Sequence, residues 1–216
     1  MSTLMRAPRE CGSWFWDLDE VVGPGLEPAL ATAAQMTEIL SKHDLLTPHK
    51  LTYDWYVLDV GGIGITTTLM LTNPVSGPSP SLPERIRQSR PQGFSTAEVD
   101  DIHVVGSGTW IDAQGNRHIE PQLVDLSVSP TPIGLSAELS VFHDIWGWFD
   151  FAGRPHPEVQ EQNAPRLAAA LTDLNAMLGV NAEPGEATYF GISGNLGMET
   201  PDALEDGSGP NVTDRL

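Results

Sequence analysis

The sequence predicts an α+β fold: a single domain with an antiparallel sheet of about five or six strands and two main helices packed on one face. Three observations carry this expectation. Residues 51–60, 65–72, 101–111, 117–129 and 135–142 alternate apolar and polar side chains, the period of a half-buried strand. Two other stretches place apolar residues at helical spacing: Leu26, Leu30, Ala33 and Leu40, then Leu167, Leu171, Leu174 and Leu178. The strand-like runs follow one another through turns with no β-α-β rhythm, which favours antiparallel pairing.

Residues 1–24 form an N-terminal arm in this reading, with Trp14, Phe15 and Trp16 tucked against the core among Asp17, Asp19 and Glu20. Gly23-Pro24-Gly25 breaks the chain. A helix is expected over 27–45, with Pro28 in the first turn, where its missing N–H has no helical partner. Met36 and Ile39 flank its apolar stripe, and Pro48 is expected to stop it.

A hairpin follows. Tyr53, Trp55 and Val57 share one face of its first strand, and Gly61, Gly62 and Gly64 are expected to supply its turn. Thr66, Thr67 and Thr68 suit the returning strand, because β-branched side chains pack well on a pleated surface. These glycines do not make a phosphate loop: neither Lys-Ser/Thr nor a helix follows them. Residues 73–100 read as a long Pro/Ser-rich loop, functional or mobile, with Arg85, Arg87 and Arg90 clustered around a short helix over 83–88.

The next strands form a meander. Residues 112–116 make a turn with Gly115 where positive φ is needed, Pro121 marks an edge or a bulge, and Pro130-Thr131-Pro132 turns the chain. The last helix is expected in two parts: a single turn over 157–162, then a helix with Asn163 as N-cap, Pro165 in its first turn and Gly179 closing it. Residues 187–192 are a short apolar run, an edge strand or a docked segment. The domain is expected to span 1–197, and 198–216, dominated by Gly, Asp, Glu and Pro, a flexible acidic tail.

Charge narrows the function. The net charge is -18, with two lysines and nine arginines against 29 acids. Nucleic acid binding rests on Lys/Arg neutralising phosphates, so nucleic acid is excluded as a ligand. A basic partner protein, a cation or plain solubility remain. The lone cysteine, Cys11, permits no internal disulfide and fits a reducing cytoplasm. No stretch has the apolar length of a membrane span or a signal peptide, so no membrane association is expected.

Motifs for catalysis are missing. The chain has no GxxxxGK[ST], HExxH, CxxC or EF-hand loop, and the GxSxG elbow is displaced at Gly191-Ile192-Ser193-Gly194-Asn195. No catalytic residue, metal ligand or cofactor is assigned. The one local His/carboxylate cluster is His143-Asp144, followed by Asp150 and His156. A carboxylate can orient an imidazole for general-base work, and such a set can hold zinc, but the simpler reading is that His143 and Asp144 cap a strand end. Beside it, Trp146, Trp148, Phe149 and Phe151 are either core beneath the helix or an interface rimmed by acids. Aromatic rings attract cations and carboxylates pair with them. The candidate binding residues are therefore Glu138, His143, Asp144, Trp146, Trp148 and Asp150.

One further pattern runs from Gly153-Arg154-Pro155 through Asn163-Ala164-Pro165-Arg166-Leu167 and Leu178-Gly179 to Thr188-Tyr189-Phe190-Gly191. It resembles the C-terminal part of small acidic proteins of filamentous actinobacteria, in style similar to immunity proteins of polymorphic toxin systems. The resemblance covers about a quarter of the chain and implies a binding protein without assigning any residue. The expected function is a cytoplasmic, acidic, non-enzymatic inhibitor that docks a basic partner protein. The alternative is a small-molecule enzyme or carrier with a pocket between sheet and helices, using His143, Asp144 and His103.

Overall fold

The computed structural model describes residues 4–71, 81–130 and 134–216. Its main sheet has eight antiparallel strands: β1 (Gly12–Asp17), β2 (Thr47–Val57), β3 (Gly61–Met70), β4 (Glu98–Ile111), β5 (Arg117–Pro121), β6 (Val124–Pro130), β7 (Leu135–Val141) and β8 (Glu183–Pro184). Three helices accompany it, α1 (Leu26–Lys42), α2 (Leu82–Gln88) and α3 (Pro157–Leu178). A small ladder pairs β9 (Ser193–Gly194) with β10 (Gly197–Met198). The strand order is β3-β2-β4-β6-β7-β1-β8, with β5 on the far half of β4.

The α+β class is as expected, and the strand count is larger than five or six for local reasons. The run 117–129 is two strands, because Gln122 takes a positive φ of 51° and donates its N–H to Gly106 O at 2.9 Å. The N-terminal arm contains β1, which pairs with β7 from Gly12↔Val141 to Asp17↔Ser136. Trp14 and Trp16 point into the core while Phe15 points out, so three consecutive aromatics conceal a two-residue period. The hairpin turns through 58–60, with Asp59 in the left-handed region, and the glycines expected in that turn instead begin β3. Pro48 lies inside β2 and not at the end of α1, which already stops at Lys42.

The core lies on one face of the sheet. Tyr53 and Trp55 of β2, Ile102 and Val104 of β4, Leu126 and Val128 of β6, and Ala137 and Leu139 of β7 all point there and are buried. α1 covers it with Ala29, Leu30, Ala33, Met36 and Leu40. α3 covers it with Val159, Leu167, Leu171 and Leu174. Of the 73–100 segment, 73–80 lie outside the described residues, as do Thr131 and Pro132. The rest holds α2, started by a Ser81/Glu84 capping box, and the beginning of β4.

α3 is one helix, not a turn followed by a helix. Asn163 is not its N-cap. It sits fully buried inside the helix, accepting the Ile111 N–H at 2.9 Å and donating to Ile111 O at 2.7 Å. A buried asparagine that meets both polar groups of one strand residue fixes the helix against β4. Gly179 does end the helix in the left-handed conformation, φ 71°, its N–H bonded to Asn175 O.

Candidate functional site

At the end of β7 the chain leaves the sheet through Phe142 and His143 into a single 3-10 turn, Asp144–Trp146. Residues 5–7 clamp this exit. Ala7 N–H donates to Phe142 O at 2.7 Å, Asp144 N–H to Met5 O at 3.2 Å, and Met5 N–H to Asp144 Oδ1 at 3.2 Å. The loop that follows is held by Asp150, whose Oδ1 accepts the N–H groups of Ala152 and Arg154, both at 2.9 Å, while Oδ2 pairs with Arg154 Nε. His156 Nε2 lies 3.0 Å from Gly147 O, which closes the loop onto the start of α3.

The C-terminal segment, expected as a flexible tail, runs back along this loop. Gly209 N–H donates to Gly153 O at 2.8 Å and Val212 N–H to Phe151 O at 2.9 Å. Gly209 lies against the Phe149 ring so closely that a Cβ there would collide with it. Between the loop and residues 188–212 is a cleft of about 200 Å³. Cys11, His143, Asp144 and Trp146 line it alongside the aromatic rings of Trp148, Phe149, Tyr189 and Phe190, and Asp150 and Glu199 complete its acids. Among the described residues no lysine or arginine lines it.

The innermost groups are electrically unusual. Asp144 is 3% exposed, and among the described residues no donor meets its Oδ2 in hydrogen-bond geometry. Burial pushes its carboxyl up to about 7. The N–H groups of Met5 and Phe151 partly oppose that shift, and the nearby Asp150 charge adds to it. His143 is also buried, and neither ring nitrogen is hydrogen-bonded at close range. Glu120 Oε1 stands 3.5 Å from Nε2. Burial, aided by the Arg6 charge, pushes this imidazole down to about 4, so it is neutral at pH 7. Trp146 Nε1 is the fourth such buried atom among the described residues. The Cys11 thiol donates to Val141 O at 3.1 Å, and burial raises its pKa far above the thiol range, so it is no nucleophile at neutral pH.

Of the residues singled out from sequence, His143, Asp144, Trp146, Trp148 and Asp150 meet at this cleft. Glu138 does not. It lies on the helix-free face of the sheet, opposite Phe15 and Ser127. His103 is on that same face, 3.4 Å from Asp125, whose hydrogen bond and charge raise the imidazole pKa. The aromatic block divides: Trp146 and Phe151 are buried core, while Trp148 is 37% exposed. The cleft lies between the β7 exit loop and the C-terminal segment, and not between sheet and helices. Cys11, Tyr189, Phe190 and Glu199 were not legible as site residues. The only signal was the apolar run 187–192, far from the loop in sequence.

No protein-family model, curated protein or solved structure matches this chain.

Proposed function

We propose that this chain is an acidic binding protein that docks a basic partner protein at the mouth of the cleft, in the manner of an immunity-type inhibitor. One observation carries the reading: Asp144, Asp150 and Glu199 line an aromatic cleft with no described lysine or arginine in its lining, Arg154 meeting Asp150 from outside it. The net charge of -18 supports long-range attraction of a basic partner. Trp148 and Tyr189, both exposed, are the kind of rigid aromatic anchor that dominates binding energy at interfaces. Asp101, Asp125 and Glu138 on the helix-free face add to the same negative field.

The test is capture of the partner by cross-linking in a lysate of the source organism, followed by association kinetics with the purified pair. The expected partner is rich in Lys and Arg, its association rate falls steeply with added salt, and Trp148→Ala weakens binding about tenfold. An acidic partner, or an association rate indifferent to salt, sinks the reading.

The partnerless polar atoms of Asp144, His143 and Trp146 favour a second reading, a small-molecule site in the same cleft. Under that reading Asp144→Asn alters small-molecule affinity and leaves partner capture intact.

A further inference from the structure

We infer that the cleft is a site for one organic cation, the ammonium or guanidinium group of an amine or of a Lys/Arg side chain, held at Asp144 between aromatic rings. The inference rests on the binding function proposed above and names the chemistry that the site recognises.

The first ground is hydrogen bonding. Native proteins leave few buried polar atoms without partners, and those that remain require an explanation. Here a carboxylate oxygen of Asp144 is one such atom, in a residue that lines an open cavity. In its ionised form that buried oxygen accepts from a donor bound at the cavity wall once the side chain turns toward it.

Charge selects which donor. The groups around Asp144 come from four parts of the chain: Cys11 just before β1, His143 beside it, Asp150 and His156 from the loop before α3, and Glu199 from the C-terminal segment. Each is acidic or neutral at pH 7 in this setting, because burial lowers both imidazoles and keeps the thiol protonated. The nearby arginines act at the edge of the cleft without lining it. Arg154 pairs with Asp150 from an exposed position, Arg6 lies over the Phe142 ring at 5.3 Å, and Arg215 lies over the Tyr189 ring at 5.1 Å. Ionised Asp144 and Glu199 disfavour an anion and favour a cation.

The walls agree. Trp148, Phe149, Tyr189 and Phe190 line the cleft, and aromatic ring faces attract cations. Tyr189 already attracts one guanidinium, that of Arg215. The size also agrees. About 200 Å³ is below the roughly 300–1,000 Å³ of pockets that hold drug-sized molecules. It accommodates a charged head group and a short stem, not a nucleotide or a flavin. A cation at Oδ2 favours ionised Asp144, so binding near pH 7 releases a proton.

Calorimetry with the intact protein tests this, using n-butylammonium and methylguanidinium against n-butanol and methylurea, and the peptides Gly-Lys-Gly and Gly-Arg-Gly against Gly-Gly-Gly. Each titration is run in two buffers of different ionisation enthalpy. The cations are expected to bind at least about tenfold tighter than their neutral counterparts. Protons are released on binding, and Asp144→Asn loses about tenfold in affinity. Tighter binding of the peptides assigns the site to a partner's side chain; tighter binding of the free amines assigns it to a metabolite. Either supports a cation site. Equal binding of neutral compounds, or an unaffected Asp144→Asn variant, overturns it. If no cation binds while Trp148→Ala still weakens the captured partner, the cation inference falls and the binding function stands. If neither effect is seen, both fall.

Discussion

The indole Nε1–H of Trp16 donates to the side-chain oxygen of Asn175 across 2.8 Å, and the same oxygen accepts the Ala182 N–H at 3.0 Å. One side chain in the last turns of α3 therefore ties down β1 and the segment leading to β8. Asn175→Leu strands the buried Trp16 donor, which costs roughly 1–3 kcal/mol. Asn175→Asp keeps an acceptor and costs less. Urea midpoints at constant slope measure both. A wild-type midpoint for Asn175→Leu means that this bond does not hold the strand.

Trp16 also shows where sequence reading stops. Its neighbours Trp14 and Phe15 blur the alternation, and no turn residue announces a strand, so β1 reads as an arm. What makes it a strand is β7, more than a hundred residues later. Alternating runs and the leucine stripe of α3 were legible because each is a local period imposed by one buried face. Asn163 misled for the opposite reason. A cap residue beside Pro165 is a local signal, but the pairing with Ile111 outweighs it. Likewise eight cleft residues lie within the nine positions 143–151, while Cys11, Tyr189 and Glu199 arrive through tertiary packing alone.

His143 and Asp144 give opposite pH dependences over one window. Asp144 is raised from 3.8 to about 7, so between those values the folded chain holds a proton that the unfolded chain has lost, and stability falls as pH rises. His143 is lowered from 6.5 to about 4, so there the unfolded chain holds the extra proton, and stability rises with pH. The two slopes, each at most about 1.4 kcal/mol per pH unit, largely cancel in the wild type. Asp144→Asn is expected to gain stability with rising pH between about 4 and 6.5, and His143→Gln to lose it. Denaturant midpoints across this range read the result; parallel wild-type and variant profiles refute the pairing.

Cys11 is 2% exposed, and its thiol is bonded to carbonyls at the β7 exit. The thiolate is the reactive form, and burial suppresses it. Native protein is expected to resist a thiol reagent on the scale of minutes and to react fully in urea. Rapid labelling of the native state would mean that the exit loop opens freely.

Gly108 stands where β4 passes the chain between α1 and β2. A Cβ there would meet the Leu45 carbonyl oxygen and the Leu123 side chain. Because one obstacle is backbone, Gly108→Ala forces a main-chain shift and is expected to cost roughly 1–3 kcal/mol. Gly62→Ala has open space around it and is the control. Thermal or urea unfolding of both variants checks the difference, and equal midpoints would refute the close approach.

Trp148 offers a direct report on the cleft. The other five tryptophans, Trp14, Trp16, Trp55, Trp110 and Trp146, are at most 7% exposed, whereas Trp148 is 37% exposed. A polar quencher such as acrylamide reaches exposed rings far more readily than buried ones, so most of the quenchable emission belongs to Trp148. Trp148→Phe is expected to abolish that fraction, and Trp146→Phe to leave it in place. Occupation of the cleft by a cation or by a partner side chain then shields Trp148 and lowers the quenching constant in the wild type alone. Unchanged quenching in Trp148→Phe would place the accessible indole elsewhere and detach the cleft from its outer wall.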